Sequence, residues 1–256
     1  MMAKRVQDLF VTENRQIKRD ICILELSSSE KFPEIMPGQF VQIRADGSPG
    51  TFLRRPFSIH DVDYENRTLK LLVQVVGNGT KALYELKKGD LLNIVYPLGN
   101  AFSLPSRMEQ IVLIGGGSGI APLYFLAKNL GLQGYKPDIL LGFRNKERVI
   151  EYDEFSKFGN IHITTEDGSE GEKGYVTDHS TLKMTKYDRV YCCGPDLMMK
   201  AVAKYANSKN IFCEVSLENL MGCGFGICLC CIVSTTRGNI CTCTEGPVFN
   251  INELKW

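Results

Sequence analysis

Between positions 223 and 243 the chain crowds six of its ten cysteines: Cys223, Cys228, Cys230, Cys231, Cys241 and Cys243. The stretch around them is rich in Cys and Gly and too short to bury a core alone, so it needs a metal centre to fold. Cys223, Cys228 and Cys231 are spaced C-x4-C-x2-C, the plant-type [2Fe–2S] spacing that one distant cysteine completes. Four thiolates must converge on two irons from a loop that wraps the cluster closely. Gly222, Gly224 and Gly226 put no side chain in the way, and they let backbone N–H groups reach the sulfurs. A structural zinc site also takes four cysteines, but zinc ribbons favour two short C-x2-C pairs. The spacing selects Cys231 over Cys230 and leaves the fourth ligand open between Cys241 and Cys243.

The redox setting matters to this reading. Met1 to Phe10 holds no apolar h-region, and the apolar run around Ile227–Val233 is far too short to span a bilayer. A cytoplasmic location is therefore expected, where a reducing environment disfavours structural disulfides. Thirty Lys+Arg against 29 Asp+Glu leave a formal charge of +1, so neither nucleic acid nor a charged membrane surface is an expected partner. With 44% hydrophobic residues in 256, two ordinary domains with a small appendage are affordable.

The rhythm of the chain agrees. Ile21–Leu26, Phe40–Ile43 and Leu69–Val76 are short β-rich runs separated by turn markers such as Pro37-Gly38 and Asp46-Gly47. One short helix is expected at Lys81–Leu86, and a small antiparallel barrel suits the whole. From about 105 the pattern alternates strand and helix: Ile111–Ile114, a helix through Leu123–Leu130, Asp138–Leu141, Ile161–Thr164 and Arg189–Cys192. That alternation predicts a doubly wound parallel sheet. The expected division is a β barrel over 1–104, an α/β domain over 105–212 and the cysteine segment over 213–256. His60, His162 and His179 lie outside the cysteine cluster and read as ordinary surface or strand residues.

Two further motifs bear on chemistry. Arg54-Arg55-Pro56-Phe57-Ser58-Ile59 falls on a barrel strand and resembles the R-x-[Y/F]-[S/T] signature of the ferredoxin-reductase flavoproteins. That resemblance implies FAD, with Arg55 on its diphosphate and Ser58 at the isoalloxazine; an arginine fork suits phosphate oxygens. Pro56 and Phe57 complete the string, Phe57 standing where many relatives have Tyr. Gly79 and Thr80, in Gly77-Asn78-Gly79-Thr80 ahead of the expected helix, could hold the diphosphate's other side through free N–H groups. The second motif, Gly115-Gly116-Gly117-Ser118-Gly119-Ile120-Ala121-Pro122, follows a strand and opens a helix. It lacks G-x-G-x-x-G spacing but matches the G-G-G-[S/T]-G-x-x-P form of the same superfamily. Cys193-Gly194-Pro195 matches that superfamily's C-G-P element, which implies a nicotinamide dinucleotide. Arg144, Lys146 and Arg148 after the second strand could accommodate a 2′-phosphate or form a solvated loop.

Flavin barrel, nucleotide domain and C-terminal cysteine segment, in that order, narrow the resemblance. Glu214–Glu218, then Met221-Gly222-Cys223-Gly224, then Cys243-Thr244-Glu245-Gly246-Pro247-Val248-Phe249 is similar to the electron-transfer subunits of flavin-containing, NAD-dependent dihydroorotate dehydrogenases. The resemblance covers essentially the whole chain and implies Cys223, Cys228, Cys231 and Cys243 as ligands. It also implies a relay in pyrimidine biosynthesis: an FMN-containing catalytic subunit oxidises dihydroorotate, and electrons pass through the [2Fe–2S] centre and FAD to NAD+. Hydride exchange would take place near Ser58 and Cys193, with no acid–base residue of this chain assigned. A heterotetramer is implied as well. The nearest alternative is the small subunit of an NAD(P)H–ferredoxin or sulfide-type oxidoreductase, some of which replace a cluster cysteine by a carboxylate. A further alternative, a zinc-dependent interaction module, leaves the flavin and nucleotide motifs unexplained.

Overall fold

In a computed structural model, residues 4–48, 50–106 and 108–256 are described. They form two compact units, one of 1–101 with 219–233 and 241–247, the other of 102–218 with 234–240 and 248–256. The cysteine segment is thus shared out: its cysteines lie with the barrel, and its final strand lies with the α/β sheet.

The first unit is built on six strands: β1 (Arg5–Lys18), β2 (Ile21–Ser27), β3 (Phe40–Ile43), β4 (Arg55–Asp63), β5 (Thr68–Gln74) and β6 (Leu91–Leu98). They close in the order β1-β2-β5-β4-β3-β6, antiparallel throughout, so no edge is left to pair with another chain. Leu9, Leu24, Ile43, Ile59, Leu71 and Ile94 are wholly buried in it. Helix α1 spans Asn78–Tyr84, three residues earlier than the sequence pattern suggests. The reason is Thr80: its hydroxyl accepts from the Val76 and Gly77 amides at 2.9 and 3.1 Å and donates to the Gly77 carbonyl. That satisfies the start of the helix before the apolar run begins.

The second unit contains β7 (Ile111–Gly116), α2 (Ile120–Leu132), β8 (Asp138–Phe143), α3 (Tyr152–Ser156), β9 (Asn160–Thr165), β10 (Glu172–Lys173), α4 (Thr181–Met184), β11 (Arg189–Cys193), α5 (Asp196–Lys209) and β12 (Phe212–Ser216). A ribbon of β13 (Ile232–Thr235) and β14 (Gly238–Cys241), the turn α6 (Thr242–Glu245) and strand β15 (Val248–Asn250) complete the chain. The sheet order is β10-β9-β8-β7-β11-β12-β15. It is parallel from β10 to β12, as expected, but β15 joins antiparallel to β12, pairing Ser216 with Val248. Strand order reverses at β7, where α/β sheets place their ligands.

His60 on β4 and His162 on β9 are strand residues, as expected, and His179 departs from that reading. His60, on β4, is 2% exposed and His179 6%; His179 belongs to no strand and stacks edge-on with His162 of β9 at 5.1 Å. His162 Nε2 lies 3.2 Å from Asp138 Oδ1. Burial holds the His179 imidazole below its ordinary range, which keeps this packed ring neutral at neutral pH.

Candidate functional site

The cysteines meet on the outer face of the barrel. After β12 the chain runs through Leu220–Cys231 in a series of tight turns, with Gly224 and Gly226 at φ +76 and +77° and Leu229 at +58°. These conformations fold the loop back on itself, which turns its amides inward. The Cys223 sulfur accepts from the Phe225 and Cys228 amides at 3.3 and 3.5 Å, and the Cys228 sulfur from the Cys223 amide at 3.4 Å. The Cys243 sulfur accepts from Gly226 at 3.2 Å, and the Cys231 sulfur from the Cys243 amide at 3.4 Å. Among the described residues no three Cys, His, Asp or Glu surround one point as a single ion requires. Cys223 stands with Cys228 and Cys231 with Cys243, each pair lined by N–H donors, while Cys241 also lies beside Cys231. That donor set fits a cluster of two irons with two thiolates apiece.

Cys241 differs in polarity. Its sulfur faces the Gly226 carbonyl at 3.8 Å and serves as the donor, a role open to a thiol and closed to a thiolate. Cys230 is exposed, whereas Cys231 and Cys243 are 2% and 0% exposed. Those two pack with Phe40, Val95, Leu98 and Met221. Asn100, just past β6, fastens the second half of the segment: its amide donates to the Gly246 carbonyl at 2.6 Å and its side chain to the Glu245 carbonyl at 2.8 Å. Burial pushes the Cys243 thiol up to about 12, with the Cys231 side chain beside it acting in the same direction. At Cys223 burial also pushes upward, but the amides of Cys228 and Phe225 prevail and bring the thiol down to about 6. Iron must displace any proton from both.

Arg55, Pro56, Phe57 and Ser58 lie half-exposed at the start of β4. The two arginines have separate duties. Arg54 is tied down by the Asn93 carbonyl at 3.0 Å, the Asn93 side chain and the Gln42 carbonyl at 3.3 Å. Among the described residues Arg55 bonds only to the neighbouring carbonyls of Leu53 and Arg54, which leaves most of its fork for a ligand. Gly79, in the first turn of α1, approaches it so closely that a Cβ would come within 3.4 Å of Arg55 Nε and 3.0 Å of Thr51 Cγ2. A cationic fork beside an uncluttered helix start suits a diphosphate. The Thr80 hydroxyl is already used up in the cap, so only its backbone can serve a ligand.

The nucleotide motifs meet at the reversal of strand order. Gly115, at the end of β7, pairs with Cys193 at the end of β11. Gly116–Gly119 turn from strand into α2, Gly117 at φ +57°. Ser118 stays half-exposed at the turn, and Pro122 sits in the first helical turn, where its missing N–H costs nothing. A Cβ at Gly119 would stand 2.5 Å from Gly194 Cα and N and 2.6 Å from the Cys193 carbonyl carbon. Two backbones therefore touch, and Pro195 leads directly into α5. The Cys193 thiol is wholly buried and held well above its ordinary range by that burial. Burial likewise raises Glu218 in the same unit. Of the cations after β8, Lys146 pairs with Glu170 at 3.2 Å.

Comparison with known proteins agrees with this geometry. Residues 218–255 match the model of the iron–sulfur cluster binding domain of dihydroorotate dehydrogenase B. Residues 8–102 match that of an oxidoreductase FAD-binding domain and residues 113–204 that of an oxidoreductase NAD-binding domain. The chain is 41% identical over 239 residues to the electron transfer subunit of dihydroorotate dehydrogenase B (NAD(+)) of Clostridium acetobutylicum, covering 93% of each chain. It is 35% identical over 259 residues to the subunit of the same name from Fusobacterium nucleatum, covering 98% of this chain and 99% of the relative. Among solved structures it resembles an NADH-dependent reduced ferredoxin–NADP oxidoreductase, with TM-score 0.87 and 33% identity over 97% of this chain and 90% of the other. A similarity to the cytochrome b5 reductase domain of Ulva prolifera nitrate reductase, TM-score 0.68 at 15% identity over 81% and 94%, concerns the fold alone. With FAD-, NAD- and iron–sulfur-binding regions in one chain and identity along nearly its full length, the protein belongs to the family of electron-transfer subunits of NAD(+)-dependent dihydroorotate dehydrogenase B.

Proposed function

We propose that this chain takes electrons from an FMN-containing subunit that oxidises dihydroorotate and delivers them to NAD+, as a cytoplasmic heterotetramer serving pyrimidine biosynthesis. The observation that carries the proposal is the pair of thiol pairs, each with its own N–H donors, seated on the barrel that also bears the flavin motif. When bound, the [2Fe–2S] cluster supplies one-electron transfer, and FAD supplies the change from single electrons to hydride. Cys223, Cys228, Cys231 and Cys243 hold the cluster. Cys243 is preferred to Cys241 because its sulfur is buried and accepts the Gly226 amide, whereas the Cys241 sulfur faces the Gly226 carbonyl. Arg55 and the first turn of α1 hold the FAD diphosphate, and Pro56, Phe57 and Ser58 line its ring. Gly115–Gly119, Pro122 and Cys193–Pro195 seat the dinucleotide.

The partner's place is suggested by the cluster loop's outer rim. Leu220 and Ile227 are more than 80% exposed, and Phe225, Leu229 and Ile232 of the same stretch of chain are exposed as well. Exposed large apolar side chains mark an interaction surface, and here they flank the exposed Cys228 and Cys230 along the chain. A catalytic subunit docked on them would bring its own redox centre close to the cluster.

A second reading, the small subunit of a ferredoxin–NADP oxidoreductase, is favoured by the structural similarity at 33% identity. Four cysteine ligands, with no carboxylate among them, weigh for the first. To test the proposal, the anaerobic protein is analysed for iron, sulfide and flavin and reduced with NADH. In a separate sample the oxidised protein is mixed with a dihydroorotate-oxidising FMN subunit, dihydroorotate and NAD+. About two irons and one FAD per chain, with NADH formed only in the mixture, are expected. A colourless, zinc-holding protein refutes the proposal, and transfer only between NADPH and ferredoxin establishes the second reading.

A further inference from the structure

Gln42 lies at the centre of β3 and is 0% exposed, yet neither its Nε2 nor its Oε1 has a hydrogen-bond partner among the described residues. Native proteins rarely bury a carboxamide in that state unless a ligand or an ordered water completes it. Its surroundings narrow what the ligand is. Gln42 pairs with Pro56 of β4 on one side and Val95 of β6 on the other, as Phe40 pairs with Ser58 and Leu98. Residues directly opposed across a ladder project to the same face. One outer face of the barrel therefore carries, in adjoining rows, Leu98 and Val95, then Phe40 and Gln42, then Ser58 and Pro56.

The cysteine loop covers the first two rows. Cys231, Cys243 and Met221 pack on Phe40, Val95 and Leu98. Gly224 sits over Gln42 so closely that a Cβ there would fall 3.1 Å from Gln42 Cγ and 3.4 Å from Nε2. Gly224 follows Cys223, whose sulfur already accepts two backbone N–H groups. The third row belongs to the flavin motif. Gln42 thus stands where the loop's edge meets the flavin strand, with two free donor hydrogens and no acceptor among the described residues.

Resting on the reading above that this loop binds a [2Fe–2S] cluster, we infer that Gln42 is a positioning residue whose carboxamide donates to a sulfur of that cluster's shell on the Cys223 side. Such a donor favours the reduced, more negative cluster and raises its reduction potential. It also explains why a polar side chain is kept in an apolar strand beside Val41 and Ile43. Gln39, the other glutamine nearby in the chain, is excluded, because its amide donates to the Gly99 carbonyl at 3.0 Å.

The experiment uses the cofactor-loaded full chain and compares wild type with Gln42→Met, which keeps the length of the side chain and removes both donors. Iron, sulfide and FAD are counted, and cluster and flavin are titrated potentiometrically with EPR and optical detection. The expected result is wild-type cofactor content, an unmoved flavin potential and a tenfold loss in the reduced-to-oxidised ratio of the cluster at fixed poise, about 59 mV for one electron. A cluster potential unchanged by the substitution overturns the role, and so does a shift confined to the flavin. If the variant does not assemble, wild-type protein labelled with 15N in the glutamine side chains decides by pulsed EPR of the reduced cluster. A nitrogen coupling supports the role, and its absence overturns it. Wild-type protein without iron and sulfide overturns the reading and the role together, whereas a loaded protein with an unmoved potential overturns the role alone.

Discussion

Gly119→Ala tests whether the nucleotide loop and the Cys193-Gly194-Pro195 turn form one rigid seat. Gly119 has φ −64° and ψ −8°, a conformation alanine adopts freely, so the unfolded-state effect of the substitution alone would stabilise by about 0.4–1 kcal/mol. The added methyl, however, meets backbone rather than a pliable side chain, at 2.5 Å from Gly194 Cα and N. Carbon atoms at ease stand about 3.5 Å or more apart, so one turn has to retreat by about 1 Å. Overpacking of that kind costs about 1–3 kcal/mol, which outweighs the entropic gain and leaves a loss of about 1–2 kcal/mol. For a chain of this size that is a fall in Tm of about 3–6 °C. A displacement of about 1 Å can cost about 100-fold in a reaction that depends on alignment. The assay is calorimetry of the holoprotein together with stopped-flow reduction of its flavin by NADH. Gly77→Ala is the control, since Gly77 is extended and nothing lies within 4 Å of its added Cβ. A Gly119→Ala protein with the wild-type Tm and the wild-type rate of flavin reduction refutes the rigid seat.

Two further outcomes are expected. Cys243→Ser loses the cluster while Cys241→Ala keeps it, read as iron and acid-labile sulfide per chain; the reverse result would reassign the fourth ligand. Arg55→Ala weakens FAD binding about 10–100-fold, because a charge-assisted hydrogen bond contributes about 1.5–3 kcal/mol. Arg54→Ala lowers the barrel's unfolding free energy instead, and flavin release measured by fluorescence separates the two arginines.

Much of the chemistry could be read directly from the chain, because ligand spacing and turn glycines are local properties. C-x4-C-x2-C, the arginine–serine string on a strand and the glycine turn between strand and helix each need only a few adjacent residues, and each lies where the sequence indicates. Strand β1 is different. Of its fourteen residues only Leu9 and Val11 are buried and five are charged, so no apolar run announces it; pairing with β2 and closure against β6 make it a strand. The start of α1 was set by a hydroxyl cap rather than by the apolar residues after it.

The sequence by itself determined the three kinds of site and their order, since backbone reach and thiolate chemistry demand those residues at those spacings. The tertiary structure decided which of several equivalent groups is used. The buried Cys243 sulfur faces an N–H where the half-buried Cys241 faces a carbonyl, and among the described residues Arg55 reaches only neighbouring carbonyls where Arg54 reaches Asn93 and Gln42. Gln42 reads as one polar residue in an apolar strand until a loop from nearly two hundred residues further along the chain is laid over it. Hydrogen-bond polarity and burial are properties of groups brought together from distant parts of the chain, and no local pattern encodes them.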